Sequence, residues 1–322
     1  MSLLPLFDDH EQAAPQAARL APKLHALAAR GVYFGTSSWK YDGWLGSLYN
    51  PELYSTRGKF SQKKFESACL SEYARVFPVV CGDFAFYQFP SADYWKRLFE
   101  SAPAPFLFAF KVPEQITVAK WPVHARYGPR AGKDNESFLN VELFRDLFAR
   151  PLAHYSNQVA ALIFEFGTFA KSVFANVDHF LDRLDPFLAS LPIGFRYSIE
   201  IRNPEYLGPS YFSTLAHHGV AHVFSAWTRM PELAAQLELP GAFGADFTVA
   251  RALLTRGRSY EEAVRTFEPY KEVKAPNTAV REALRSLAER AVQTHRPAFL
   301  FVNNRLEGNA PTTIEGVVDE LV

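Results

Sequence analysis

Eight times along the chain a short, mostly apolar run of strand type alternates with a longer helix-compatible stretch. The most informative run is Phe195 to Pro204, F-R-Y-S-I-E-I-R-N-P. Successive side chains of a strand point to opposite faces, so Ser198, Glu200 and Arg202 share one side and Tyr197, Ile199 and Ile201 the other. One face is apolar and the other charged. A sheet that is covered outside by helices and closed on itself inside puts the isoleucines under the helices and the ions toward the barrel mouth.

The other strand candidates are Val32 to Thr36, P-V-V-C-G-D (78–83), F-L-F-A-F-K-V-P (106–113), V-A-A-L-I-F-E-F (159–166), V-A-H-V-F-S-A-W (220–227), Phe247 to Ala252, and A-F-L-F-V-N-N (298–304). In 106–113, Phe106, Phe108 and Phe110 fall on one side, with Leu107, Ala109 and Lys111 on the other. Helical spacing covers 11–30, where Leu20, Leu24 and Leu27 form a stripe, then 61–76, Tyr94 to Ser101 behind a Ser91 N-cap, 137–149, 172–189 and 312–321. The helix in 11–30 is expected to cap the closed end of the barrel. Residues 118–136, with Pro122, Pro129 and Gly132, are too long for a routine connection and read as a functional or mobile loop. The pattern predicts an α/β fold, a (β/α)8 TIM-type barrel over 31–322 with 1–30 as an N-terminal extension.

Composition narrows the partners. Lys plus Arg and Asp plus Glu are 34 each in 322 residues, so no global field holds a polyanion or a membrane surface. Cys69 and Cys81 are too few for a disulfide framework or a thiolate zinc site, which fits a reducing cytoplasm. No apolar run reaches the roughly 20 residues of a membrane span, so a cytoplasmic protein without a membrane partner is expected. Phosphate-loop, dinucleotide, zincin and hydrolase-elbow motifs are absent. His217, His218 and His222 sit at the approach to the sixth strand, where solvated helix-end histidines are expected.

In order along the chain stand G-T-S-S-W-K-Y-D-G-W-L-G-S-L-Y-N-P, F-Y-Q-F-P-S, F-A-F-K-V-P-E-Q-I-T, I-E-I-R-N-P-E-Y and F-V-N-N-R-L-E-G-N-A-P. This series resembles the YecE-like family, domain of unknown function 72, from about Gly31 to the C-terminus. The resemblance implies a TIM barrel and no settled activity. The chain departs from the family pattern at the second strand, where Cys81, Asp83 and Ala85 stand at the customary glutamate, asparagine and threonine. Val118 follows Ile116 and Thr117 where a histidine is usual, Glu165 replaces a glutamine, and Asn203 follows Arg202 in place of histidine.

Barrel chemistry sits where strands end, which selects Thr36, Asp83, Lys111, Glu165, Glu200, Arg202, Arg251, Asn303 and Asn304. Their mixed charges suit an enzyme, of undetermined reaction, acting on a small anionic molecule that is phosphorylated or carboxylated. Glu200 is then the general acid or base, Lys111 and Arg202 grip the anion, and Arg251 with Asn303, Asn304 and Asn309 orients it. Trp39, Tyr41, Trp44 and Tyr87 offer rings for stacking on a base or sugar. No cofactor is required, although Asp83, Glu165 and Glu200 are the oxygen ligands that magnesium or manganese would use. Alternatives are a structural ion network, a non-enzymatic ligand module, and a nucleic-acid binder or nuclease; zero net charge and the lack of a histidine cluster count against the last.

Overall fold

The computed structural model describes residues 14–102 and 104–321. Eight parallel strands close into a barrel: β1 Val32–Thr36, β2 Val79–Gly82, β3 Leu107–Lys111, β4 Val159–Phe166, β5 Tyr197–Ile201, β6 Ala221–Ala226, β7 Thr248–Ala252 and β8 Ala298–Val302. Each pairs with the next, and β8 returns to β1 through Val32↔Ala298 to Thr36↔Val302. At the β1–β2 seam Gly35 approaches so closely that a Cβ there would lie 2.1 Å from the Val79 carbonyl oxygen. Only glycine lets these two backbones meet.

The helices that coat the barrel are α1 Pro15–Ala28, α2 Gln62–Val76, α3 Ala92–Ser101, α4 Val177–Ala189, α5 Pro209–His217, α6 Tyr260–Phe267, α7 Thr278–Thr294 and α8 Ala310–Val318, with shorter turns between them. Their starts follow local chemistry: Ser61, Ser91, Asn176, Ser259, Asn277 and Asn309 each accept a backbone N–H of the first turn. Phe108 and Phe110 face outward against Phe99, and Phe110 also meets Trp95, as the alternation of β3 requires. The expected helix over 137–149 starts later and is broken, because Val141–Phe144 runs into a π-helical turn at Arg145–Ala149 and a last turn at Arg150–Leu152. The final helix starts and ends earlier than the expected 312–321, with Asn309 as its cap.

α1 does not cap the closed end. It packs along the wall against α2, β1 and α8, and Gln16 on it donates to Thr312 (3.0 Å) and Glu315 (2.9 Å) of α8. Its leucine stripe therefore buries against neighbouring helices. At the closed end Tyr33 and Phe299 stack at 5.2 Å, with the Arg196 guanidinium over the Phe299 ring. Above them Val79, Cys81, Ala109, Ile163, Val223, Val249 and Phe301 fill the interior, so the barrel is a packed core up to its charged top layer. Residues 1–13 of the extension lie outside the described residues.

Segment 118–136 is held down rather than loose. Trp121 and Lys133 pair through their backbones, Lys120 bridges Asp134, and Arg126 ion-pairs with Glu114 while stacking on Tyr87 and Tyr127.

Candidate site at the barrel mouth

Six ions from five strand ends meet in the top layer. Glu165 on β4 and Glu200 on β5 are register partners and both point inward, so two carboxylates stand side by side. Like charges so placed repel. Arg251, entering from β7, resolves this by placing Nη1 between them, 2.6 Å from Glu165 Oε2 and in contact with Glu200 Oε2. Lys111 Nζ reaches Glu165 Oε2 at 3.0 Å, and Arg202 Nη2 spans Glu165 (3.0 Å) and Glu200 (3.2 Å). Ser225 on β6 donates its hydroxyl to Glu200 Oε1 at 3.0 Å.

Asp83, just past β2, sits at the edge. Its Oδ1 lies 3.4 Å from Arg251 Nη2 and 3.8 Å from Lys111 Nζ, both long contacts. Its side chain is 35% exposed, whereas Glu200 is 0% exposed and Arg251 2%. Two rings wall the opening: Lys111 Nζ lies 3.7 Å from the centre of Phe86, and the Arg202 guanidinium 3.8 Å from that of Trp227. Tyr41 stands nearby against Tyr270, and burial pushes its phenol up to about 12, an effect the charge of Arg305 partly opposes.

Burial alone would raise the Glu165 carboxyl, but Arg202, Lys111 and Arg251 together hold it well below the usual carboxylate range. Burial opposes the charged form of Arg251, and Glu200, Glu165 and Asp83 more than offset that, so the guanidinium stays charged. Beneath them Cys81 is sealed in the barrel and burial pushes its thiol up to about 12, which opposes the reactive thiolate form. The three carboxylates do not fit magnesium or manganese: Arg251 Nη1 occupies the point between Glu165 and Glu200 where such an ion would sit. Among the described residues no group of three or more His, Cys, Asp or Glu side chains is arranged to hold a metal ion.

Several residues chosen from the sequence are placed elsewhere. Thr36 points outward and shares a 2.8 Å hydrogen bond with Tyr73 of α2, because the alternation of β1 puts Gly35, not Thr36, on the inner face. Trp39 and Trp44 are core rings of the first loop, buried against Phe84 and Tyr49, and offer no stacking platform. Tyr87 is exposed, but Arg126 covers its ring. The three asparagines serve the backbone: Asn303 accepts Arg305 N–H, Asn304 accepts Ala310 N–H, and Asn309 accepts Thr312 N–H while donating to the Tyr270 carbonyl. Glu200 is too deep to meet a substrate, with both oxygens engaged. His222 is not a solvated helix-end residue. It lies within β6 against Tyr211 and Phe212, and burial lowers its imidazole to about 4.

Phe86, Trp227, Ser225 and Tyr270 belong to the mouth as well, although the sequence reading does not select them. Ser225 has a readable signal, since it shares the inner parity of β6 with Val223. Trp227 continues that parity one step past β6, whereas Phe86 and Tyr270 sit on loops without a period.

This architecture is that of a TIM-type barrel with an ionic cluster at the C-terminal ends of its strands. The chain belongs to the family described as "Protein of unknown function DUF72", whose model matches residues 33–322. It is similar to the crystal structure of a DUF72 family protein from Thermotoga maritima, with a TM-score of 0.58 and 20% identity, covering 90% of this chain and 98% of that one. A DUF72 family protein from Enterococcus faecalis gives a TM-score of 0.57 at 16% identity, covering 90% of this chain and 97% of the other. At these identities the likeness is one of fold. No curated protein matches the chain.

Proposed function

We propose that the barrel mouth is an active site for general acid–base chemistry on a small anionic molecule, a carboxylate or a phosphate ester. Lys111 and Arg202 hold the anion and Asp83 moves the proton. The observation that supports this reading is the unequal access of the six ions. Glu200, Glu165 and Arg251 form a buried floor joined to one another by short contacts, while Asp83 is a third exposed and held only at 3.4 and 3.8 Å.

The charges balance, three against three. An incoming anion takes the long contact of Asp83 with Lys111, and the partly exposed Asp83 turns toward solvent as a base at the edge of the bound molecule. The ammonium of Lys111 retains donors beyond the one given to Glu165, so it can turn toward the mouth without leaving Glu165 unpaired. Phe86 and Trp227 back the two cations and keep water from one side of each, which strengthens their hold on an anion.

Calorimetric titration with inorganic phosphate and with acetate tests the grip. Lys111→Met and Arg202→Met are each expected to weaken binding about tenfold or more, since a charge-assisted hydrogen bond contributes roughly 1.5–3 kcal/mol. Equal affinity in folded variants would remove both residues from the reading. A screen of carboxylated and phosphorylated metabolites for turnover then asks whether Asp83→Asn keeps binding and loses the reaction.

A further inference from the structure

Beside the ions, the loops after β3 and β4 enclose a groove of about 350 Å³, lined by Thr117, Val118, Trp121, Gly167, Phe169 and Val173 among others. That volume lies within the range of small-molecule pockets, and the lining is mostly apolar with few polar groups, as such pockets are. The groove is built from the loops that follow the strand ends carrying Lys111 and Glu165. Gly167 follows β4 directly after Glu165 and Phe166, the Thr168 hydroxyl donates to the Arg202 carbonyl at 3.2 Å, and Thr117 ends the short turn that follows Lys111.

Two features show that its walls are built. Asn203 accepts Phe169 N–H at 2.7 Å and donates to its carbonyl at 3.1 Å, fixing that ring's backbone to the end of β5. On the opposite side Arg130 lies over Trp121 at 4.4 Å, and backbone pairs to Gly132 and Lys133 hold the tryptophan in place. The hydroxyl of Thr117 lies behind the groove wall, closed to solvent and without a hydrogen-bond partner among the described residues.

We infer that this groove receives the apolar portion of the same molecule whose anionic group sits at Lys111 and Arg202, so that the substrate is bipartite, with a carboxylate or phosphate head and a hydrocarbon or ring tail. This rests on the anion reading of the mouth and adds the chemical class of the rest of the molecule. Lys111 and Arg202 set its orientation.

The test uses straight-chain carboxylates from acetate to hexanoate, titrated calorimetrically into the full chain. Affinity is expected to rise roughly fourfold for each methylene that enters the groove, and the Trp121 indole resonance to move with hexanoate but not with acetate. Gly167→Trp fills the groove from a position where an added Cβ meets nothing within 4 Å. It is expected to abolish the chain-length gain and leave acetate binding unchanged. Ala170→Trp, on the same wall, is expected to do the same and guards against a misfolded first variant. Acetate binding with no chain-length gain, or a gain that survives both substitutions, overturns the groove assignment alone. If neither acetate nor inorganic phosphate binds, the anion reading of the mouth fails and the bipartite substrate with it.

Discussion

Among the described residues two glutamates are buried completely, Glu200 and Glu307, and they are built in opposite ways. Glu307, in the turn before α8, is paired one to one. Arg281 of α7 meets both its oxygens at 2.6–3.1 Å, and Asn277 N–H and the Thr313 hydroxyl complete the set. Glu200 belongs to a cluster of six ions in which Arg251 is shared by three carboxylates and Glu165 by three cations. The first arrangement ties α7 and α8 to the end of β8. The second ends in a loosely held, partly exposed aspartate facing the mouth, so it has somewhere to react. A buried ion pair is in itself weak evidence for either stability or function. What separates the two sites is whether every member is saturated.

The largest expected effect is that of Arg251→Met. It leaves Glu165 and Glu200 side by side without their common cation, and destabilisation of about 3–5 kcal/mol or more is expected in urea unfolding. A variant as stable as the parent would mean that the cluster is not one network. Glu307→Gln comes next, at about 3 kcal/mol, since Arg281 keeps some access to solvent. Its anion affinity should equal that of the parent within twofold, and a loss would join the two sites that are separated above.

Acid titration of stability sharpens the contrast from a third position. His222 is lowered from 6.5 to about 4, so as the pH falls the unfolded chain takes its proton first and the folded chain only near 4. Stability is full above about 6.5 and falls by roughly 3 kcal/mol between those values. Glu165, held below its ordinary 4.5, contributes stability that is present above that value and is lost as the pH falls further. His222→Phe should remove the upper limb and leave the lower one, read from urea midpoints between pH 7 and 4. The smallest effect is that of Asp83→Asn. Its contacts are long and its side chain solvated, so a change within about 1 kcal/mol is expected. A larger loss would make Asp83 a structural member and take away its proposed role.

Much of this was legible in the chain. The alternation along 197–202 places Glu200 and Arg202 inward and the isoleucines outward, and the same parity places Lys111 inward; strand alternation is a property of the local backbone and needs no partner to be read. β4 was readable from end to end for the same reason. The N-cap at Ser91 was equally local, because a cap bonds to the turn that follows it. Loop residues had no such rule. Trp39 and Trp44 have the composition of a stacking platform and the position of a loop core, and Asn303, Asn304 and Asn309 have the composition of a binding site and the work of caps and ties.

By itself, then, the order of residues determined the strands, their inner and outer faces and the closed barrel they imply, since period and parity are short-range. Only the tertiary structure decided which ions touch. Arg251 reaches carboxylates on β4 and β5 because β7 stands across the barrel from them, and Asp83 stays loose because it lies just past the end of β2. Those distances depend on register and closure across segments far apart in the chain, and no local pattern carries that information.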